Sequence, residues 1–423
     1  MASLHLLLWI TLALAVQLAI LLGFNFQRHW RDYRALRYQA AGLDIPLAKD
    51  LPREIEETVP AAWPGYRTFR VERKVVEDAA QSVCSFYLVP EDGQSLPPFL
   101  PGQFLTFRLE IPTAAGGVEQ VIRCYSLSDA PRPDGYRISI KRVPPPAGCD
   151  VPPGRSSNYF HDHVAVGSRL QVRAPSGHFH IDRSDAPVVL IGGGIGITPM
   201  LSMLNWCLAE QPGREVWLFY GLRHGRELVM KSHLESLAAA HPNFHLRLCL
   251  SDPQPEDVAG RDYQHRGRVD LDLLRLQLPL KPYHFYLCGP APMMESLVPA
   301  LNDWGVPDPR IHFEAFGPAS IKRRQTATAT VAKPEAVDSD IVVTFAKSGK
   351  ELPWQPAAGS LLEFAEANGI TVNSGCRAGG CGSCQTTIRN GELAYRQTPD
   401  FDPEPGTCLL CVCTPKTSIA LEA

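Results

Sequence analysis

The sequence predicts a multidomain chain with four parts in series. An N-terminal transmembrane helix comes first, then an antiparallel β-barrel, an α/β domain built on a parallel sheet, and a small cysteine-rich C-terminal domain. Three observations carry that prediction. The N-terminus opens with an uncharged apolar run, the texture changes near residue 185 from turn-separated strands to strands alternating with helices, and six of the twelve cysteines fall at 376–413. A length of 423 residues suits roughly two to four domains. The 41 basic and 44 acidic side chains leave a formal charge of −3, a near-balance that excludes the basic excess of a broad nucleic-acid footprint.

Residues 1–27 contain no Lys, Arg, Asp or Glu, and Leu6 to Phe24 is apolar except at Thr11 and Gln17. A helix of about 20 residues spans the hydrocarbon core, so this run is long enough. Arg28, Arg31, Arg34 and Arg37 follow at once, with Trp30 and Tyr33 among them. Basic residues hold their side of a span in the cytoplasm, and aromatic rings favour the headgroup layer. The expectation is a single-pass anchor at 1–27, a juxtamembrane segment at 28–63, and catalytic domains on the cytoplasmic side. A cleaved secretory signal fits less well, because nothing basic precedes the run and its one Ala-x-Ala (Ala13, Ala15) lies inside it. A buried soluble helix is the third option, for which the run is long. Cytoplasmic placement would keep the cysteines reduced, favouring metal ligation or packing over disulfides.

From 64 to 184 the chain reads as short alternating segments: Tyr66 to Val76, Ser82 to Val89, Gln103 to Leu109, Tyr136 to Lys141 and Arg169 to Ala174. Turns such as Glu91-Asp92-Gly93 and Pro133-Asp134-Gly135 part them. That pattern predicts an antiparallel barrel. From 185 to 317, buried-strand runs (Val188 to Ile191, Val216 to Tyr220, His245 to Leu250, His284 to Cys288) alternate with helical stretches, which predicts βαβ units around a parallel sheet. Such sheets bind ligands beyond the carboxyl ends of their strands, where the glycine run Gly192 to Pro199 and Cys288 both fall. Gly192 and Gly194 fit the first two positions of G-x-G-x-x-G, but Ile197 takes the third, and Gly221-Leu222-Arg223-His224 ends the next strand without an acid. On pattern alone the run is equally a tight strand–helix turn or a dinucleotide site.

Residues 318–338 read as a flexible linker and 339–423 as a last domain. That domain holds Cys376, Cys381 and Cys384 in C-x4-C-x2-C spacing, with Cys408, Cys411 and Cys413 further on. A distant fourth cysteine after this spacing is the plant-type [2Fe–2S] pattern, whereas structural zinc typically uses paired short spacings. Glycines between the ligands let backbone N–H groups turn towards the cluster. Spacing alone leaves the fourth ligand open among the three later cysteines.

Arg123-Cys124-Tyr125-Ser126, preceded by Pro101-Gly102-Gln103-Phe104, resembles one flavin motif of the ferredoxin–NADP reductase family. Gly154-Arg155-Ser156-Ser157-Asn158-Tyr159 resembles the second, Gly192 to Pro199 the nicotinamide-nucleotide loop, and Cys288-Gly289-Pro290 the later C-G-P motif. The four stand in family order over about residues 65–317. The resemblance implies that Arg123 pairs with flavin phosphate, that Tyr125 lies on the isoalloxazine and that Ser126 bonds near N5. It implies that Gly154, Ser157 and Asn158 seat the pyrophosphate ahead of a helix. Gly192, Gly193, Gly194, Gly196, Thr198, Pro199, Gly289 and Pro290 would receive the nucleotide, with Cys288 beside the nicotinamide. Glu314, in Phe313-Glu314-Ala315-Phe316, resembles the family's acid near the domain end, and Ser126, Cys288 and Glu314 are the implied catalytic set. Read singly, Arg123 could be a surface strand charge and Cys288 a packed small side chain. Cys84, Cys124, Cys149, Cys207 and Cys249 are expected to be structural or incidental.

The tail resembles plant-type ferredoxins, which implies a β-grasp fold. Leu409-Leu410 before Cys411 and Pro415 after it match that family and make Cys411 the fourth ligand with Cys376, Cys381 and Cys384; Gly375 departs from the Ser common there. The whole resembles flavin reductases with a C-terminal ferredoxin domain. It implies passage of electrons from NAD(P)H through FAD and a [2Fe–2S] cluster, singly, to a membrane-associated acceptor such as an oxygenase, desaturase or cytochrome. FAD is favoured over FMN because Ser157 to Asp162 resembles FAD-binding relatives. NADH is slightly favoured over NADPH, although Arg223 and Arg226 could admit a 2′-phosphate. Direct reduction of a membrane quinone and a tethered iron–sulfur sensor are the competing readings, and a sensor needs no hydride site. Ser339 onward carries nine acidic and six basic residues, so the chain's entire net charge lies in this domain.

Overall fold

The computed structural model describes residues 63, 65–113, 116–145, 153–316 and 341–423, the last apart from 376, 378, 380, 381, 397, 398 and 400–402. The expected anchor at 1–27, all but Trp63 of the juxtamembrane segment 28–63, and the linker 318–338 lie outside these residues. Among the described residues no helix is long and apolar enough to cross a membrane.

Six strands form the first sheet: β1 (Arg67–Val76), β2 (Val83–Pro90), β3 (Phe104–Pro112), β4 (Val118–Ser126), β5 (Tyr136–Lys141) and β6 (Arg169–Val172), in the order β4-β3-β6-β1-β2-β5 with antiparallel pairing. Period-two alternation puts Leu105, Phe107, Leu109 and Ile111 of β3 inside. The outer strands meet where Leu127 bridges Ile138 and the Ser128 N–H donates to Arg137 O at 2.8 Å, which curls the sheet towards a barrel. Sequence alternation leaves β4 out, because only Val121 and Ser126 of its nine residues are buried. Helix α1 (Arg155–His163) packs on this sheet through Phe160, whose ring lies 5.2 Å from Phe86 and 5.5 Å from Phe107. Trp63 belongs with the barrel: its indole N–H donates to Val172 O and its ring packs on Phe69 and Tyr136.

The second sheet contains β7 (Val188–Gly193), β8 (Val216–Leu222), β9 (Phe244–Leu250), β10 (His265–Arg266), β11 (His284–Gly289) and β12 (Ile311–Ala315), ordered β10-β9-β8-β7-β11-β12 and parallel throughout. Helices α2 (Ile197–Glu210), α3 (Lys231–Ala240), α4 (Leu271–Gln277) and α5 (Ala291–Asp303) connect the strands. Both faces are covered. Val188 and Leu190 enter one core with Leu204 and Leu234, while Val189 and Ile191 enter the other with Leu274 and Leu297. That explains the unbroken apolar strand runs. The chain builds outward from β7 to β10, then returns to β7's other side as β11. This reversal opens a crevice at the carboxyl ends of β7 and β11.

The last domain has β13 (Val342–Phe345), β14 (Lys350–Pro353), β15 (Gln385–Asn390), β16 (Leu393–Tyr395), β17 (Thr407–Leu409), β18 (Cys413–Pro415) and β19 (Ile419–Leu421). The main sheet runs β14-β13-β19-β15-β17, with β13 parallel to β19, and β16 pairs with β18 apart from it. One helix, α6 (Leu361–Ala367), starts with a capping box between Ser360 and Glu363 and buries Leu361, Leu362 and Phe364 against Val343 and Phe345. Among the described residues of this domain, a mixed sheet packs against one α-helix, as in a β-grasp fold.

Candidate functional site

The crevice brings together residues from three strands. Cys288 stands opposite Gly192 on β7 and opposite Glu314 on β12. Across the domain boundary, the Ser126 hydroxyl at the end of β4 donates to the Glu314 carboxyl. Ser126, Cys288 and Glu314, far apart in sequence, thus form one group. Burial pushes the Glu314 carboxyl up to about 8, only partly offset by Ser126, and its Oε2 is buried without a hydrogen-bond partner. Burial, then the neighbouring Glu314, hold the Cys288 thiol well above its ordinary range. Cys288 is therefore a neutral thiol at neutral pH, suited to pack against a ring rather than to attack one.

The glycines at this crevice are required by close approach. A Cβ on Gly196 would stand 2.1 Å from Cys288 O, and one on Gly193 would stand 2.8 Å from Met293 Sδ and from Pro290 Cδ. Gly289 likewise faces Met293 Cε at 2.4 Å and Gly193 Cα at 3.1 Å. Gly194 instead adopts φ +54° over open space, which turns the backbone at the mouth of the crevice. Gly192 and Gly193 end β7, Gly194–Gly196 forms a 3₁₀ turn, and Thr198 and Pro199 lie in the first turn of α2. Pro290 caps α5 directly after Gly289. Bare backbone from two strand ends and two helix starts faces one space, an arrangement that accepts a dinucleotide.

On the barrel, Arg123 is exposed on β4, and its Nη1 donates to its own neighbour's carbonyl, Ile122 O, at 2.7 Å. Its guanidinium fork is available to a phosphate. The Tyr125 ring packs 5.2 Å from Phe160 and 5.8 Å from Phe107, and burial raises its phenol well above the ordinary range. The second motif requires a correction. Ser157 and Asn158 do not precede the helix; they lie within α1, which begins at Arg155 after the cap residue Gly154. Their side chains close the preceding loop. Ser157 Oγ donates to Gly154 O at 3.1 Å, Asn158 Nδ2 donates to Val143 O and Gly154 O, and Arg142 donates to Asn158 Oδ1. A Cβ on Gly154 would meet Ser157 Oγ and Val143 Cβ at 2.8 Å, so this glycine is needed by the same turn. What α1 offers a diphosphate is its uncapped amino end. The donor set of Arg123, the helix start and the Tyr125 ring fits a flavin dinucleotide.

Sequence reasoning missed Glu227. Although no acid ends β8, the turn at Gly225–Glu227 returns this side chain to Arg223, Nη2 to Oε1 at 2.5 Å, with Lys141 Nζ at 3.9 Å. Burial raises the Glu227 carboxyl, yet its basic neighbours outweigh burial and hold it below the ordinary range. Arg223 is thus neutralised before any ligand arrives. An open cleft of about 510 Å³ adjoins it, walled by Arg223, Arg226, Asp252 and Glu256 at the carboxyl ends of β8 and β9. The larger cleft, about 600 Å³ beside Trp63, Arg67 and Asp92, holds none of the expected site residues.

In the last domain Cys384 and Cys411 bring their sulfurs to 3.1 Å, while Cys376 and Cys381 lie outside the described residues. Between those two positions Arg377 and Gly379 adopt φ +58° and +78°, and Gly382 follows at +70°. Left-handed positions such as these let backbone N–H groups turn to one side, as the sulfides of a cluster require. Arg377 pins this loop to α6 through Glu366. Cys408 and Cys413 are wholly buried, whereas Cys411 sits half-buried on the turn Leu410–Val412. The described part of this site, Cys384 beside Cys411, suits a [2Fe–2S] cluster.

Comparisons with known proteins find a family model along each of the three domains. The chain matches the family models of the oxidoreductase FAD-binding domain over 72–181, the oxidoreductase NAD-binding domain over 190–298 and the 2Fe-2S iron–sulfur cluster binding domain over 343–416. A flavohemoprotein of Halalkalibacterium halodurans is 38% identical over 291 residues, covering 69% of this chain and 68% of the relative. One of Bordetella pertussis is 41% identical over 261 residues, covering 61% and 62%. The chain thus spans about two thirds of the length of these relatives. Among solved structures, the FAD/NAD-binding domain of nitric oxide dioxygenase from Vibrio cholerae matches with TM-score 0.52 and 36% identity over 60% of this chain and 100% of that one. Phthalate dioxygenase reductase, a modular structure for electron transfer from pyridine nucleotides to [2Fe-2S], matches with TM-score 0.50 and 26% identity over 85% of this chain and 98% of that one.

Proposed function

The chain belongs to the FAD- and NAD-binding oxidoreductases of the ferredoxin–NADP reductase family, joined to a [2Fe–2S] domain, and from that premise we propose how its parts are used. It is an NAD(P)H–FAD–[2Fe–2S] electron-transfer reductase. When bound, FAD supplies the exchange between hydride and single-electron chemistry, and the cluster supplies a one-electron carrier. The chain's own residues position and insulate these groups. Arg123 and the amino end of α1 hold the flavin diphosphate, and Tyr125 walls the ring. The glycine turn at 192–196 admits the nucleotide backbone, while the neutral Cys288 thiol and the Glu314 carboxyl, tied to Ser126, exclude water where hydride passes. Cys376, Cys381, Cys384 and Cys411 hold the cluster.

The observation that carries this reading is the meeting of Ser126, Cys288 and Glu314 at the sheet reversal. The acceptor proposed is a membrane-associated oxygenase, desaturase or cytochrome, reached from a single-pass anchor formed by the apolar run Leu6 to Phe24 with the basic residues after it on the cytoplasmic side. We read the nucleotide as NADH. Arg223 is already paired with Glu227, and the Asp252 and Glu256 carboxylates would face a 2′-phosphate with like charge. The test is Cys384→Ser: delivery to a one-electron protein acceptor is lost while NADH still bleaches the flavin. Loss of flavin bleaching too, in a folded variant, would contradict the linear order.

A further inference from the structure

The flavin strand and the glycine turn belong to different domains, so the gap between them is set by contacts across the boundary. Asp129 lies three residues beyond Ser126, in the connection from β4 to β5. Its carbonyl accepts from Ser202 Oγ at 2.7 Å, and its Oδ1 accepts from Asn205 Nδ2 at 2.7 Å. Ser202 and Asn205 share one face of α2, three residues apart, on the helix that begins directly after the glycine turn. Ser202 is wholly buried. Each partner is itself held. Arg137 of β5 pairs with Asp129 Oδ2 at 3.5 Å and donates to Ser128 O, and His233 of α3 meets Asn205 Oδ1 through Nε2 at 3.1 Å. With the amide nitrogen of Asn205 turned to a carboxylate, its oxygen accepts from the imidazole N–H.

A second line of contact runs beside the first. The Met230 N–H donates to Glu77 O and the Ala80 N–H to Arg226 O. Met230 adopts φ +54°, a conformation that a bulky side chain keeps only where its surroundings over-determine it.

We propose that Asp129, Ser202 and Asn205 form a positioning clasp that fixes the distance between Ser126 on the flavin strand and the glycine turn beside Cys288. The nicotinamide then enters a preset gap rather than drawing the domains together. The clasp rests on the reading of Ser126 and Cys288 as the two sides of the hydride path, and none of its three residues touches the reacting atoms.

The test is anaerobic rapid mixing of the full-length, cofactor-loaded protein with NADH. Asn205→Ala should lower the saturating rate of flavin reduction tenfold or more, because a displacement of about 1 Å can cost about 10²-fold. The half-saturating NADH concentration should stay within about twofold, since the nucleotide's own contacts are intact. The long-wavelength charge-transfer absorbance of reduced flavin with NAD⁺ should weaken, and the cluster spectrum should be unchanged. The exchange Asp129→Asn with Asn205→Asp, which restores an amide–carboxylate pair with its partners reversed but leaves Arg137 without its carboxylate, should recover part of the rate. Ser202→Ala carries the same expectation should Asn205→Ala not fold. Flavin reduction within twofold of wild type in Asn205→Ala, a rate loss explained by weaker NADH binding, or an exchange variant no faster than its parents would each overturn the clasp. A wild-type flavin that neither NADH nor NADPH reduces would instead overturn the reading of the site, and the clasp with it.

Discussion

Gly196→Ala is a sharp perturbation, because the backbone there is ordinary and only space is at issue. Gly196 has φ −61° and ψ −2°, which any residue adopts, but a Cβ would lie 2.1 Å from Cys288 O and 2.4 Å from Cys288 C. Ordinary contact begins near 3.4 Å, so the turn and the end of β11 must part by about 1.3 Å, and both obstacles are backbone. Overpacking of this kind costs about 1–3 kcal/mol in stability. The larger consequence is local, since Cys288 is the residue displaced and a misplacement of about 1 Å can cost about 10²-fold in rate. Single-turnover reduction of the flavin by NADH should therefore slow by about 10²-fold in Gly196→Ala, with flavin content retained. Gly194→Ala meets open space at φ +54° and should lose only the roughly 1–2 kcal/mol of a left-handed alanine. Gly213→Ala, also in open space, should match wild type. Reduction of Gly196→Ala within twofold of wild type would refute the placing of the nucleotide between this turn and Cys288.

Two further substitutions test the electrostatics. With the folded pKa of Glu314 at about 8 against an ordinary 4.5, the folded protein keeps its proton through a range in which the unfolded chain has lost it. Stability relative to Glu314→Gln should therefore fall as pH rises from about 5 to 8, by at most about 1.4 kcal/mol per pH unit, and level off above 8; parallel denaturation midpoints of the two proteins across that range would contradict it. Asp252→Ala removes a carboxylate from the cleft beside Arg223, and the ratio of kcat/KM for NADPH over NADH should rise about fivefold, the value of roughly 1 kcal/mol for one charge pair at about 4 Å in water. An unchanged ratio would remove Asp252 from the choice of nucleotide.

The parts that sequence reasoning reached are those in which one physical signal dominates. Both faces of the parallel sheet are buried, so β7 and β11 read as continuous apolar runs, and the short cysteine spacings marked a cluster site. β4 escaped as a strand because its exposed face is polar, even though its last residues were recognised as a motif. Ser157 and Asn158 look like free donors in the sequence; only the fold shows them spent on closing the loop at Gly154. Glu227 and the clasp of Asp129 with Ser202 and Asn205 depend on tertiary approach, for which neither periodicity nor spacing gives a signal. The buried, orphaned Oε2 of Glu314 is equally invisible until β12 is set beside β11.

The order of the redox groups is the central claim, and anaerobic stopped-flow mixing with NADH, followed at flavin and cluster wavelengths with freeze-quench magnetic resonance, tests it most directly. The account predicts that the flavin bleaches first and the reduced-cluster signal follows, and that Cys384→Ser keeps the first phase and loses the second. A cluster reduced ahead of the flavin, or reduced by NADH in flavin-free protein, would contradict it.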